Sequence, residues 1–131
     1  LALEHNEIIK FLQRDNPFVH SAVAYRLDAI KHVGGYRKSF IYEDYDLWIR
    51  LLSEYKGIII DSEMCVHIRS EDTMTSKYSL SDALAERLKL QVMAIKAFGI
   101  LSPMSIISIN LTAIRFFYNK YIISFINRSA L

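Results

Sequence analysis

The chain contains one cysteine, Cys65. No disulfide can form within it, which fits a reducing compartment. Structural zinc sites need cysteines and histidines at close, regular spacing. A single cysteine with His5, His20, His32 and His67 scattered along the chain offers no such pattern, and His5 and His32 fall in helical surroundings without a chemical signal. There are four glycines, and none builds a glycine-rich phosphate loop. No secretory signal, internal repeat or low-complexity segment is read in these residues. The first residue is Leu rather than Met, so the chain is expected to be a piece of a longer protein.

Acidic residues are also missing from one end. Residues 87–131 carry Arg87, Lys89, Lys96, Arg115, Lys120 and Arg128 and no Asp or Glu, a local net charge of +6, whereas residues 1–86 are net −4. A basic, apolar tail behind an acidic body suits an anionic lipid surface. The cations are too sparse, and too mixed with Ile, Phe and Leu, for a nucleic-acid patch. At 131 residues, 52% hydrophobic and 23% charged, the chain is long and apolar enough to fold as one globular unit with a modest core.

The most informative segment is Ile41-Tyr42-Glu43-Asp44-Tyr45-Asp46-Leu47-Trp48-Ile49-Arg50-Leu51-Leu52. Leu47, Trp48, Leu51, Leu52 and Tyr55 recur at helical spacing and form an apolar stripe. Three carboxylates, Glu43, Asp44 and Asp46, stand at the start of that helix, where the dipole favours negative charge. Taken alone this reads as capping, and Asp46 can also pair with Arg50 at i,i+4 for about 0.2–0.5 kcal/mol. A carboxylate fixed at a helix mouth can equally serve as a general base.

Other elements follow from local signals. Residues 3–14 read as a helix that ends before Asn16-Pro17. Residues 18–25 alternate and read as a strand, with Phe18, His20, Ala22 and Ala24 on one face. Asp28 is placed as the cap of a short helix through Val33, which Gly34-Gly35 breaks. Gly57 is placed just past the Trp48 helix. Residues 58–60 and 64–69 read as short strands and 70–79 as a loop. Ser79 or Ser81 then caps a long helix with an apolar stripe of Leu80, Leu84, Leu88, Val92 and Ile95, ended by Gly99. Ser102-Pro103 opens a last helix. Its run over 103–126 is interrupted by polar residues, so it is expected to lie in a membrane interface or on a partner rather than span a bilayer.

Several motifs occur in a fixed order: Asn16-Pro17-Phe18-Val19-His20-Ser21, Arg26 closing the strand, Val33-Gly34-Gly35-Tyr36, Glu43-Asp44-Tyr45-Asp46-Leu47-Trp48-Ile49-Arg50, and Arg69 after His67. Over about residues 10–76 this order resembles the C-terminal half of a family 2 glycosyltransferase of the GT-A fold. The resemblance implies an α/β architecture: a partial GT-A-like mixed sheet with flanking helices and a C-terminal helical extension, the nucleotide-binding half being absent. Residues 1–78 would form the acceptor-side part and 79–131 the helical extension.

The resemblance also assigns roles. Asp44 matches the catalytic base, which takes the proton of an acceptor hydroxyl during inverting transfer of a sugar from a nucleotide-sugar donor. Neighbouring helical residues diverge by about 100°, so Glu43 would orient the acceptor or the Gly34-Gly35 loop while Asp46 caps. His20 lies near the acceptor and donor-sugar end, against the alternative of an ordinary hydrogen-bonded strand histidine. Gly34 and Gly35 either admit a ligand close to the backbone or merely stop a helix. Tyr36 and Trp48 are read as core. Arg69 matches the family cation near the leaving diphosphate; its structural alternative is a salt bridge to Glu63, Glu71 or Asp72. Where the family has a histidine this chain has Glu71, which suits a divalent cation but repels phosphate. A glycosidase is disfavoured, because two carboxyls would have to flank one bond at about 5–9.5 Å.

The family's metal-binding Asp-x-Asp belongs to the missing half. A divalent cation, Mg or Mn, is therefore expected in the full-length enzyme and none in this fragment. A metal role for Asp44 and Asp46 is secondary. The expected partners are a nucleotide sugar and a saccharide or lipid-linked acceptor, in polysaccharide or cell-envelope biosynthesis. The chain is expected to be a homo-oligomer, cytoplasmic, and peripheral on the cytoplasmic face of the inner membrane. The competing reading is a non-catalytic membrane- or partner-docking module derived from a glycosyltransferase.

Overall fold

The protein is described by a computed structural model over residues 3–62, 66, 77–99 and 102–123. Its centre is helix α3, Glu43–Glu54. Tyr45, Leu47, Trp48, Ile49 and Leu52 are all buried, so α3 hides more of its surface than a single stripe. Three other helices supply the surroundings. Helix α1, His5–Leu12, brings Ile8 and Leu12; α2, Leu27–His32, brings Ile30; and α4, Leu80–Phe98, brings Leu90 and Ala94. Leu51 is only half-buried and Tyr55 is exposed, so the expected stripe is rotated toward Tyr45 and Ile49.

Local chemistry accounts for most helix ends. In α1 the Glu7 carboxylate accepts the Glu4 backbone N–H at 3.1 Å. The α2 terminus carries both hydrogen bonds of a Schellman motif, Gly35 N–H to Ile30 C=O at 2.9 Å and Gly34 N–H to Lys31 C=O at 3.1 Å. Both glycines have left-handed φ, +83° and +65°, where other residues are strained. Ser79 caps α4 by accepting the Asp82 N–H, and Gly99 ends it at φ +66°. Ser102 caps α5, Pro103–Phe117, with proline in the first turn. A π-helical turn, Tyr118–Ile123, continues α5.

Two expected boundaries change. Arg26, not Asp28, is the N-cap of α2, and the Asp28 carboxylate accepts the Ala29 N–H instead. Helix α3 stops at Glu54 with Tyr55 extended. Gly57 instead lies close to the core: a Cβ there would sit 2.7 Å from a Leu52 methyl, which would have to move.

The expected mixed sheet is not there. No strand occurs among the described residues, which are helical apart from connecting segments. One isolated antiparallel bridge joins Leu3 to Ile59. An extended segment becomes a strand only when a neighbour takes its hydrogen bonds. Residues 18–25 gain no ladder partner among the described residues. Their middle turns into a single 3-10 turn, His20–Ala22, with the Ala22 N–H on the Val19 carbonyl at 2.8 Å. Their rings pack instead on Trp48, with centroids at 5.7 Å for Phe18, 6.3 Å for His20 and 6.2 Å for Tyr25. Phe18 and Tyr25, assigned to opposite strand faces, therefore meet one indole. The second expected strand, 64–69, lies outside the described residues apart from Val66.

Helix α4 also buries a different face from the one its large side chains predict. Leu90, Gln91 and Ala94 are inside, while Leu80 and Val92 are exposed. The small Ala94 and the hydrogen-bonding Gln91 serve close helix contacts. Gln91 Nε2 donates to the Arg14 carbonyl at 2.7 Å and to Ser108 Oγ at 3.0 Å.

Candidate active site

The N-terminal rim of α3 gathers most of the expected site. Asp44 is half-buried there. Its Oδ1 accepts the Tyr45 backbone N–H at 2.7 Å and its Oδ2 accepts the Asn16 side-chain amide at 2.9 Å. Asn16 is itself fixed, because its Oδ1 accepts the Phe18 N–H at 3.0 Å in an Asx turn. The Asn-Pro turn after α1 thus positions the carboxylate from a distant part of the chain. Asn16 is a site residue that sequence reasoning missed. Its signal was present: an asparagine before proline, heading the motif that contains His20.

Asp46 has a different task. It is fully buried (0% exposed) and paired with Arg50, whose Nε and Nη2 donate to Oδ2 at 3.0 and 2.7 Å. Arg37 adds a longer ionic contact at 3.5 Å. The Arg50 guanidinium also donates to the Gly35 carbonyl at 2.7 Å and to the Val33 carbonyl. Asp46 is therefore no helix cap: the Asp46–Arg50 pair clamps the Gly34-Gly35 turn onto α3. The stop-and-turn account of the two glycines is the one their geometry supports, since both left-handed φ values and both Schellman bonds are in place. Two residues apart on a helix, Asp44 and Asp46 diverge by about 200°, and their partners are separate. Among the described residues no group of three or more His, Cys, Asp or Glu could hold a metal ion.

The turn delivers Tyr36 to the rim. Tyr36 is 37% exposed rather than core. Its hydroxyl shares a hydrogen bond with His20 Nε2 at 2.9 Å, the rings 5.4 Å apart. Burial first, then a hydrogen bond and electrostatic interaction with Tyr25, then the Asp44 and Glu43 charges, push its pKa from 10.0 to about 12. The phenol therefore holds its proton across the physiological range. Glu43 is half-buried beside Asp44. Trp48 is core, as expected, at 2% exposure, and floors the cluster of Phe18, His20 and Tyr25. Arg69 and Glu71, assigned to the diphosphate or metal vicinity, lie outside the described residues, as does His67.

An ionised carboxylate offers about four lone-pair positions. Two on Asp44 are taken by Tyr45 and Asn16, which leaves capacity for a further hydroxyl donor. The Asp44 charge is felt at the exposed Tyr36 phenol, which is hydrogen-bonded to the exposed His20 imidazole.

No family model matches the chain, and no solved structure does. Curated relatives do. The chain is 32% identical over 95 residues to the amylovoran biosynthesis glycosyltransferase AmsE of Erwinia amylovora, covering 69% of this chain and 36% of that protein. It is 38% identical over 79 residues to the O-antigen biosynthesis glycosyltransferase WbnJ of Escherichia coli, covering 59% and 31%. A third, the UDP-Gal:alpha-D-GlcNAc-diphosphoundecaprenol beta-1,3-galactosyltransferase of Escherichia coli, is 44% identical over 48 residues, covering 37% and 18%. These curated relatives are glycosyltransferases, and the chain spans about a third or less of their length.

Proposed function

We propose that this chain is the acceptor-side part of a longer, inverting glycosyltransferase of family 2, with Asp44 as the general base. The observation that carries the reading is the fixed Asp44 carboxylate, held by Asn16 at 2.9 Å beside an exposed rim of Tyr36, Tyr25 and His20. The relatives' names supply the reaction class, and the sugar–diphospholipid acceptor in one of them supplies a model for the acceptor: a saccharide, free or lipid-linked. The donor is a nucleotide sugar.

In the proposed step the acceptor hydroxyl gives its proton to Asp44 while its oxygen forms a bond to the anomeric carbon. The bond from that carbon to the diphosphate oxygen breaks, and its electron pair leaves with the nucleotide. Attack opposite the leaving group inverts the configuration. Tyr36, kept neutral, donates a hydrogen bond to a sugar oxygen, and the rings of Tyr25 and His20 pack against a sugar face. Glu43 orients the acceptor. The divalent cation of the longer enzyme is assigned to residues other than Asp46, which is paired with Arg50, and Asp44, which acts as the base. No step is assigned to a metal here.

The test uses the longer enzyme that carries this segment. Asp44→Asn should keep the far-ultraviolet circular dichroism of the parent and lower transfer to a lipid-linked saccharide by roughly 10²–10⁴-fold, the range for a lost general base. Transfer within a few-fold of the parent would remove Asp44 from that role.

A further inference from the structure

Helix α5 is set with its polarity reversed. Its inner face is hydroxyl-bearing: Ser105 is fully buried and donates to Gln13 Oε1 at 2.9 Å, Ser108 donates to the Arg14 carbonyl at 3.2 Å, and Thr112 is buried over the Ser108 carbonyl. These bonds fix the rotation of the helix about its axis. Its outer face is aliphatic and aromatic. Ile107 and Ile114, at 50% and 62% exposure, lie near the middle of it; Met104, Leu111 and Phe117 flank them. The one polar residue among them, Asn110, turns its amide back onto the Ile106 carbonyl at 2.9 Å. Tyr121 and Ile122 extend the exposed strip into the π-helical turn.

We propose that this outer face docks on an anionic lipid bilayer, with α5 lying in the plane of the interface. Charge selects the occupant. No acidic residue follows Glu86 in the sequence, so α5 and its π-helical continuation carry cations and no acid of their own. Arg115 stands at the edge of the apolar face, and the Lys120 ammonium lies 5.2 Å from the Phe116 ring and 5.6 Å from the Tyr121 ring. Aromatic side chains with cations beside them suit the headgroup depth of a bilayer. A second copy of the chain is the less suitable occupant. A two-fold interface brings the same patch onto itself, so both copies would bring Arg115 and Lys120 to the seam with no acid on either helix to pair them. A lipid phosphate satisfies them instead. No helix among the described residues is long and apolar enough to cross a membrane.

The inference needs no transferase activity, so it stands or falls apart from the role of Asp44. The chain should float with phosphatidylcholine–phosphatidylglycerol vesicles and much less with phosphatidylcholine alone. Raising salt from about 0.1 M to about 1 M shortens the screening length from about 10 to about 3 Å, and should weaken flotation without ending it. Arg115→Gln should lower partitioning about fivefold, the worth of one cation at such a surface. Ile107→Ser with Ile114→Ser, at exposed positions that leave the fold intact by circular dichroism, should lower it about tenfold or more. The proposal is overturned if the chain stays with the protein fraction, or if the double variant floats as the parent does. It is equally overturned if light scattering shows a dimer that the double variant dissociates while neither form floats.

Discussion

Replacing Arg50 by Met separates two accounts of α3. From the sequence, Asp46 and Arg50 are an i,i+4 surface pair whose loss costs about 0.2–0.5 kcal/mol. In the structure the pair is a tertiary clamp: Asp46 is fully buried, and the guanidinium also serves the Val33 and Gly35 carbonyls. Removing the cation leaves a buried carboxylate with only the 3.5 Å contact to Arg37. Breaking a buried pair in this way costs about 3–5 kcal/mol. That is a large share of the roughly 5–15 kcal/mol that stabilises a domain of this kind. For a chain of this length it corresponds to a fall in Tm of roughly 10–20 °C.

Urea unfolding followed by Trp48 fluorescence measures the loss directly. The partner variant is Asp46→Leu with Arg50→Met, which removes both charges and substitutes apolar volume. Replacing a whole buried pair is often near neutral, so the double variant should recover about 2–3 kcal/mol of the single variant's deficit. It should not recover everything, because Val33 and Gly35 still lose a donor, each bond being worth about 1 kcal/mol. A single-variant loss below about 1 kcal/mol, in the range of exposed pairs, would refute the clamp. So would a double variant no more stable than Arg50→Met.

Two further predictions concern the turn that the clamp holds. Tyr36 has its pKa raised from 10.0 to about 12, so the fold favours the neutral phenol; the stability this provides is complete below pH 10 and is lost as pH rises through about 12. The phenolate absorbance difference between the parent and Tyr36→Phe should accordingly be centred near pH 12, and a centre near 10 would deny the shift. Gly35→Ala meets no atom within 4 Å but must hold φ +65°, so it should cost about 1–2 kcal/mol in urea unfolding from backbone strain alone; a neutral or stabilising result would mean that the turn adopts another conformation.

What could be read from the sequence divides by the range of the interactions involved. Caps are local: Ser79, Gly99, and Ser102 followed by Pro103 all mark helix ends in the structure as their chemistry predicts. The α3 carboxylates stand at a helix start for the same reason. The strand over residues 18–25 was not legible, because alternation gives strand character only when a second segment completes the ladder. Here the apolar alternates found Trp48 instead. The α4 stripe failed for a related reason. Periodicity weighted by side-chain size points to its large side chains, yet close packing against α1 and α5 buries Ala94 and Gln91. In α5 the same rule inverts the helix outright, since three hydroxyl residues lie on the inner face.

The candidate site was legible as a list and not as an arrangement. Asp44, Glu43 and His20 were singled out, but Asn16, which holds Asp44, and Tyr25, which faces Tyr36, were not. Both act through contacts between segments far apart in the chain. The arrangement shows why one short motif carries two aspartates. On a helix, residues 44 and 46 point about 200° apart, so a single rigid element can commit one carboxylate to a buried pair and leave the other half-exposed at the rim. Asp46 holds Arg50, Arg50 holds the Gly34-Gly35 turn, and the turn presents Tyr36 to the rim where Asp44 waits. The Gly34-Gly35 turn that carries Tyr36 is thereby anchored on the buried side of α3. An aspartate there without its arginine would loosen the very rim that the other aspartate serves. On the proposed role of Asp44, Arg50 would act as a positioning residue, and the Glu-Asp-Tyr-Asp-Leu-Trp-Ile-Arg run is one structural unit in which the buried Asp46–Arg50 pair holds the Gly34-Gly35 turn.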